Sequence, residues 1–283
     1  MIFLLTTEKL ISKYILCIYM RREEQLIRMV KLFGNGAHVF VPKEWAGEQV
    51  VLVKPEKKNV KELIFSALGS YLESIIGVYL YGSYARAEEK QNSDIDIFVI
   101  SDKRLKIKVR GFEIHCLEQK EIEKAIRLEP VLMYSFLSEA KPLINSQLLE
   151  ELKVRYKPHL RYFMEFLRDC RRIIRVQEDF LRSETGMYVL GAAVVYSLVL
   201  RLRGIFIIRS LLDGIPYTHV QFKVWIEREL PEIDFDSMYE SYRSSKNEEK
   251  IKQKIKVCDV QRLLEFLRQE VSFLEHGQKR KKA

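Results

Sequence analysis

Cysteine is scarce in this 283-residue sequence: Cys17, Cys116, Cys170 and Cys258 lie far apart and form no CxxC pair. That excludes a disulfide framework and a zinc site, sets a reducing cytoplasmic location as the expectation, and makes each cysteine an apolar filler. Long hydrophobic runs are also missing. The stretch from Met187 to Leu200 is too short for a bilayer and ends in Arg201 and Arg203, so no membrane span is expected. The first twenty residues have no basic residue ahead of their apolar run, and Glu8, Lys9 and Lys13 interrupt it. No small-residue cleavage site follows, so they read as an amphipathic helix or upstream extension, not a signal peptide. There is no internal repeat and no low-complexity linker. Apolar content is not lacking: 47% hydrophobic and 11% aromatic residues exclude general disorder, and the length suits two domains or one with appendages.

Charge is unevenly spread. The net charge is +9, yet residues 60–150 carry 12 basic and 14 acidic side chains. Residues 1–59 carry 10 and 6, and residues 151–283 carry 26 and 19. An acidic centre suits a cation, and basic flanks suit a polyanion such as nucleic acid or a triphosphate. Solvated faces of ordinary helices explain the same flanks.

Three segments follow from periodicity. Between Arg28 and Pro55, Gly34-Asn35-Gly36 punctuates β-rich runs and predicts a strand, turn, strand, turn, strand module. It is too small to bury a core alone and is expected to pair with a second copy. From Val60 to Gln147 helix and strand alternate. A helix at Lys61–Ile76 leads to strands at VYLYG, DIDIFVI and FEIHCL, with a Lys-rich hairpin expected at Asp102–Arg110 and helices after Glu118 and from Pro130. Beyond Lys157 the pattern is helical throughout and predicts a bundle: one amphipathic helix, a more buried one over Gly186–Leu212, then helices at Pro216–Glu229, Phe235–Arg243 and Asn247–Glu275. The fold class expected is α+β, a mixed-sheet core with an N-terminal β module and a C-terminal bundle. The boundaries are 1–27 for the extension, 28–56 for the β module, 57–150 for the core, 151–276 for the bundle and 277–283 for a basic tail.

The chemistry concentrates in YLYGSYARAEEKQNSDIDIFVI. Alternation at period two places Asp94 and Asp96 on one face of a strand, where two carboxylates repel unless a cation lies between them. Mg²⁺ favours such oxygen ligands and leaves positions open for water and phosphate. Gly82-Ser83 at a strand-to-helix turn lets phosphate approach backbone amides. Glu113 on the following strand shares the face of the aspartates if the two strands are neighbours, and three carboxylates suit two-metal phosphoryl chemistry. A lone DxD also caps ordinary strands, and Glu113 also reads as a solvated edge acid. His115 shares the Glu113 side and reads as a satisfied strand histidine; His38, His159, His219 and His276 carry no motif.

Gly82-Ser83-Tyr84-Ala85-Arg86-Ala87 followed by Ser93-Asp94-Ile95-Asp96 resembles the signature of the DNA polymerase β nucleotidyltransferase superfamily, in particular its minimal nucleotidyltransferases. The resemblance covers about Lys61 to Leu117. It implies that Gly82 and Ser83 contact triphosphate, that Asp94, Asp96 and a third acid (Glu113 by position) hold Mg²⁺ or Mn²⁺, and that Arg86 has a phosphate or structural role. Ala87 stands where the family usually has glycine, which is expected to tighten the turn. The GNGAHVFVPKEWAG string resembles AbrB-like swapped-hairpin modules, which implies a homodimer and either nucleic-acid contacts at Arg28, Lys31 and Lys43 or dimerisation with no DNA contact. The helical part resembles HEPN-like bundles. The arginine–histidine spacing of active HEPN ribonucleases is missing, since Arg155 and His159 stand too close together. The arginines Arg168, Arg171, Arg172 and Arg175 are either cleft contacts or a solvated face.

The function expected is metal-dependent transfer of a nucleoside monophosphate from a nucleoside triphosphate, ATP being the expected one, to a hydroxyl of a protein, tRNA or small molecule. The alternative is a DNA-binding regulator or toxin–antitoxin-type component whose nucleotidyltransferase core is inactive.

Overall fold

The computed structural model describes residues 28, 30–52, 59–89, 93–189, 192–246 and 254–277. The expected extension 1–27 and nearly all of the tail 277–283 lie outside the described residues. The chain divides into two compact units, Met1–Lys57 and Lys58–Ala283.

In the first unit, β1 (Lys31–Phe33) and β2 (Gly36–His38) pair antiparallel, with Lys31 opposite His38 and Phe33 opposite Gly36. Gly34 takes φ 54° in the turn, a left-handed conformation that glycine adopts without strain. A short 3₁₀ turn, Lys43–Trp45, follows Pro42. The third strand expected after Gly47 does not form at 50–52, because a strand needs a neighbour's amides and carbonyls and this short stretch has none. Leu32, Phe33, Val51 and Leu52 are exposed, as a two-stranded hairpin with no interior requires.

The second unit begins with α1 (Val60–Leu68), whose N-terminus is capped by the Asn59 side chain accepting from the Lys61 amide at 3.1 Å. There follow β3 (Ile75–Leu80), α2 (Gly82–Arg86), β4 (Ile95–Ser101), β5 (Phe112–Glu118), α3 (Ile122–Leu128), α4 (Pro130–Glu139), β6 (Lys141–Ile144) and α5 (Ser146–Arg155). The strands form one mixed sheet in the order β5-β4-β3-β6. β4 runs antiparallel to β3 and parallel to β5, and β6 runs antiparallel to β3. The expected hairpin at Asp102–Arg110 is therefore corrected. Parallel strands cannot be joined by a hairpin, and residues 102–111 instead make an irregular crossover that buries Ile107. β6 was not anticipated, since KPLI is short and contains a proline, which is tolerated on an edge.

Alternation along β3 and β4 gives the sheet two faces. Val78, Ile95, Ile97 and Val99 pack with Ile64 and Leu68 of α1. Tyr79, Tyr81, Phe98 and Ile100 turn the other way, onto Phe136 of α4 and the helical part of the chain. Phe98 and Phe136 stack with ring centroids 4.1 Å apart. The Tyr79 hydroxyl donates to the Asn145 carbonyl at 3.0 Å, and Asn145 in turn caps α5, tying the sheet edge to that helix.

The bundle consists of α6 (Met164–Ser183), α7 (Ala192–Asp213), α8 (His219–Glu229), α9 (Phe235–Lys246) and α10 (Val257–Gly277). α7 begins later than its sequence pattern suggests: Tyr188 instead bridges to Lys256 in extended backbone. The bundle's core residues Leu198, Leu202 and Ile205 of α7 and Leu263 and Leu267 of α10 are fully buried and continuous with the Phe136 side of the sheet, so residues on both sides of the expected junction near 150 share one core. Three of the arginines singled out on α6 are paired within the bundle: Arg168 with Glu165, Arg171 with Glu275 and Arg172 with Asp169. Among the described residues no helix is long and apolar enough to cross a membrane.

Candidate active site

The site forms where β3 ends and β4 and β5 begin. β3 ends at Leu80, and the Tyr81 amide then donates to the Asp96 carbonyl at 3.1 Å, holding the turn against β4. Gly82 takes φ 71°, and a Cβ there would collide with the Asp96 carboxylate. Two independent constraints, the backbone angle and the close approach of Asp96, thus require glycine at the start of α2. Ser83 follows in the first turn of α2.

Asp96 of β4 lies directly opposite Glu113 of β5 in the parallel register. Cross-strand neighbours point to the same face about 4.8 Å apart. Asp94 precedes β4 by one residue, and the same alternation brings it to that face. The structure therefore brings Gly82, Ser83, Asp94, Asp96 and Glu113 together at one end of the sheet. Arg28, Lys31 and Lys43 belong to the first unit and are exposed there.

Arg86 is committed to carboxylates. Its Nε donates to Glu88 Oε2 at 2.8 Å, its Nη1 pairs with Glu139 Oε2, and its guanidinium lies 5.2 Å from the Tyr217 ring centroid. Burial works to lower its pKa, but Glu139 and Glu88 outweigh it and the pKa rises. Glu139 Oε1 also accepts from the Gly82 amide at 3.2 Å, and Glu88 Oε1 accepts from the His219 amide at 2.9 Å. The Gly82–Arg86 segment is thereby bolted to α4 and to the start of α8. Ala87 ends α2 at φ 58°, ψ 38°. This left-handed position is where glycine is unstrained, which explains the glycine usual in this motif.

Around the carboxylates the electrostatics are negative. Burial, then Asp96, Glu113 and Glu139, raise the Tyr81 hydroxyl far above the ordinary phenol range, so it stays protonated. His115 Nε2 lies 3.3 Å from Glu113 Oε1, and that contact is the main reason its pKa is raised; burial opposes it, and Glu113, Asp96 and Glu129 add to the rise. Glu139, Tyr81, Glu88 and Tyr217 were not singled out from sequence. Tyr81 is inside the motif and its alternation places it on the acidic face. Glu139, at the end of α4, and Tyr217, in the loop before α8, are distant in sequence and carry no local signal.

Asp96 and Glu113 stand opposite each other on two paired strands, with Asp94 one residue ahead of β4, and carboxylate oxygens are the donors an oxygen-seeking divalent cation takes. Among the described residues no group of three His, Cys, Asp or Glu side chains is already placed to hold a metal ion. Mg²⁺ does not require one, since it keeps several positions for water and phosphate oxygens.

Residues 62–158 match the family model described as Polymerase beta, Nucleotidyltransferase, so this part of the chain is a nucleotidyltransferase domain. No curated protein matches the chain. Two solved structures resemble it. Spectinomycin adenyltransferase AAD(9) from Enterococcus faecialis, solved with ATP and spectinomycin, is 15% identical, covers 75% of this chain and 97% of its own, and has a TM-score of 0.41. A nucleotidyltransferase-like protein from Exiguobacterium sibiricum 255-15 is 13% identical, covers 77% and 76%, and has a TM-score of 0.33. At these scores neither alignment adds to the family match.

Proposed function

We propose that this chain transfers a nucleoside monophosphate from a nucleoside triphosphate to a hydroxyl acceptor and releases pyrophosphate. The observation that carries this reading is the pairing of Asp96 with Glu113 across β4 and β5, beside a glycine turn that only a bare Cα allows.

Gly82 and Ser83 seat the phosphates at the turn. Asp94, Asp96 and Glu113 hold Mg²⁺, which when bound neutralises charge on the triphosphate and on the attacking oxygen. Glu113 takes the proton of the acceptor hydroxyl. The acceptor oxygen bonds to the α-phosphorus as the α–β bridging bond breaks, and the electron pair leaves with pyrophosphate. Arg86 acts on the loop through its ion pairs with Glu88 and Glu139, as a positioning residue. The buried Tyr81 hydroxyl, kept protonated by its acidic surroundings, offers a donor at the same face.

The first unit pairs with a second copy in this reading. Its exposed Leu32, Phe33, Val51 and Leu52 support that, as does a hairpin too small to enclose a core. Arg28, Lys31 and Lys43 are the candidate contacts to nucleic acid on that unit. The test of the central reading is Mg²⁺-dependent release of pyrophosphate from each α-labelled nucleoside triphosphate in the presence of cell lysate. Label transferred to an acceptor supports the reaction. Tight triphosphate binding with no transfer from any nucleotide favours an inactive, regulatory core.

A further inference from the structure

Beside the carboxylates a cavity of about 300 Å³ opens on the same face of the sheet. Phe98 lies two residues beyond Asp96, while His115 and Leu117 lie two and four beyond Glu113, so alternation carries the acidic face directly into the cavity. His115, 3.3 Å from Glu113, stands at the junction. The remaining wall comes from Ala125 of α3 and from Leu132 and Met133 of α4.

We propose that this cavity is the acceptor subsite, and that it selects a small molecule with an apolar ring, a basic amine and a hydroxyl. The proposal rests on the nucleotidyl-transfer reading above. The sheet order assigns the cavity to the acceptor: the phosphate turn follows β3, the cavity borders β5, and β4 lies between them. Its size is at the lower end for small-molecule sites and fits one substituted ring, not a folded macromolecule. Apart from His115, the part of the wall formed by Phe98, Leu117, Ala125, Leu132 and Met133 is apolar, so a polyhydroxylated body would bury most of its hydroxyls without partners. Charge is confined to the rim. Glu121 and Lys124 neutralise each other at 3.3 Å, whereas the exposed Glu129 carboxylate makes no ion pair among the described residues and leaves the rim negative. A protonated amine complements it, with the ring inside and the hydroxyl toward Glu113.

The test uses 2-amino-1-phenylethanol, its neutral counterpart 1-phenyl-1,2-ethanediol and glucosamine as probes, with α,β-methylene ATP and Mg²⁺ for nucleotide binding, on the full chain. The amine should bind about fivefold tighter than the diol, the scale of one rim ion pair, and glucosamine should not saturate. Glu129→Gln should bring amine and diol within about twofold of each other. Ala125→Phe, which fills the cavity, should lose both phenyl probes and keep nucleotide binding. Glu129→Gln lies on the surface and remains informative if Ala125→Phe fails to fold. Glucosamine binding as tightly as the amine, or no binding of any probe by the wild type, overturns the proposal. So does Ala125→Phe losing the nucleotide together with the probes, which would make the cavity the nucleobase seat. If the probes behave as stated but the wild type neither binds triphosphate nor releases pyrophosphate, the reaction reading falls and the ligand preference of the cavity stands.

Discussion

The two faces of the central sheet are built from the same strands and obey different rules. Toward α1, Ile95, Ile97 and Val99 meet Ile64 and Leu68 in an apolar core. Toward the bundle, Asp96 is followed by Phe98 and Ile100, so one row runs from carboxylate to full burial within three positions. The difference teaches that a strand can hold a costly cluster of like charges if its other face and its far end supply the burial that keeps it in place. It also predicts that the two faces separate stability from activity.

The largest expected effect breaks the acidic face. Asp96→Asn should lower nucleotidyl transfer by about 10³-fold if Asp96 is the metal ligand proposed above, since the change keeps the side chain's shape and removes its charge. Its melting temperature should match or slightly exceed that of the wild type, because a like-charge repulsion is relieved. Its neighbour on the opposite face sharpens the contrast. Ile97 is fully buried, and Ile97→Ala should destabilise the protein by about 2–5 kcal/mol while leaving the rate per folded molecule nearly unchanged. Thermal unfolding and active-site titration of the two variants together would check the separation. If Asp96→Asn were the less stable and Ile97→Ala the less active, the division of labour would be wrong.

Glu139→Gln comes next and tests the link between the faces. It leaves Arg86 short of one carboxylate and weakens the acceptor for the Gly82 amide, at a site where both charged side chains are largely buried. A loss of about 2–3 kcal/mol is expected, with a smaller fall in transfer rate as the loop loosens. Ala87→Gly should act in the other direction, stabilising by about 1 kcal/mol by relieving the left-handed alanine at the end of α2. The smallest effect lies far from the sheet. Asp234 accepts from the Ser237 amide at 3.0 Å ahead of α9, and its pKa is lowered chiefly by its hydrogen bonds to Ser237. The contribution of a carboxylate held below its unfolded value is present above that value and disappears as pH falls through the folded one. Asp234→Ala should therefore lose about 1 kcal/mol near neutral pH and nothing once the medium is acidic enough to protonate the wild-type group, as melting curves across pH would show.

How much of this was legible in the sequence follows the range of each interaction. The α+β class, the DIDIFVI and FEIHCL strands and the helices of the bundle were readable because period two and period 3.6 are local properties. The acidic pair was readable for the same reason. That Glu113 stands opposite Asp96 was conditional on β4 and β5 being neighbours, which is a tertiary fact. The Lys-rich segment before β5 looks like a hairpin because strand direction leaves no trace in composition. The third strand near Val51 failed because apolar alternation specifies a strand only when a partner is present to bond it. Glu139 and Tyr217 were invisible, since nothing near them in sequence says that the end of α4 meets Gly82 or that the loop before α8 meets Arg86. Arg86 was visible as a motif arginine, but its commitment to Glu88 and Glu139 was not.

The most direct measurement compares wild type with the Asp94→Asn/Asp96→Asn double variant in transfer of label from an α-labelled nucleoside triphosphate, with and without Mg²⁺. The account predicts a labelled product and stoichiometric pyrophosphate from the wild type with Mg²⁺, and neither from the variant, although both proteins unfold at similar temperatures. Equal labelling by the folded double variant would contradict it, because the paired carboxylates would then have no part in the reaction.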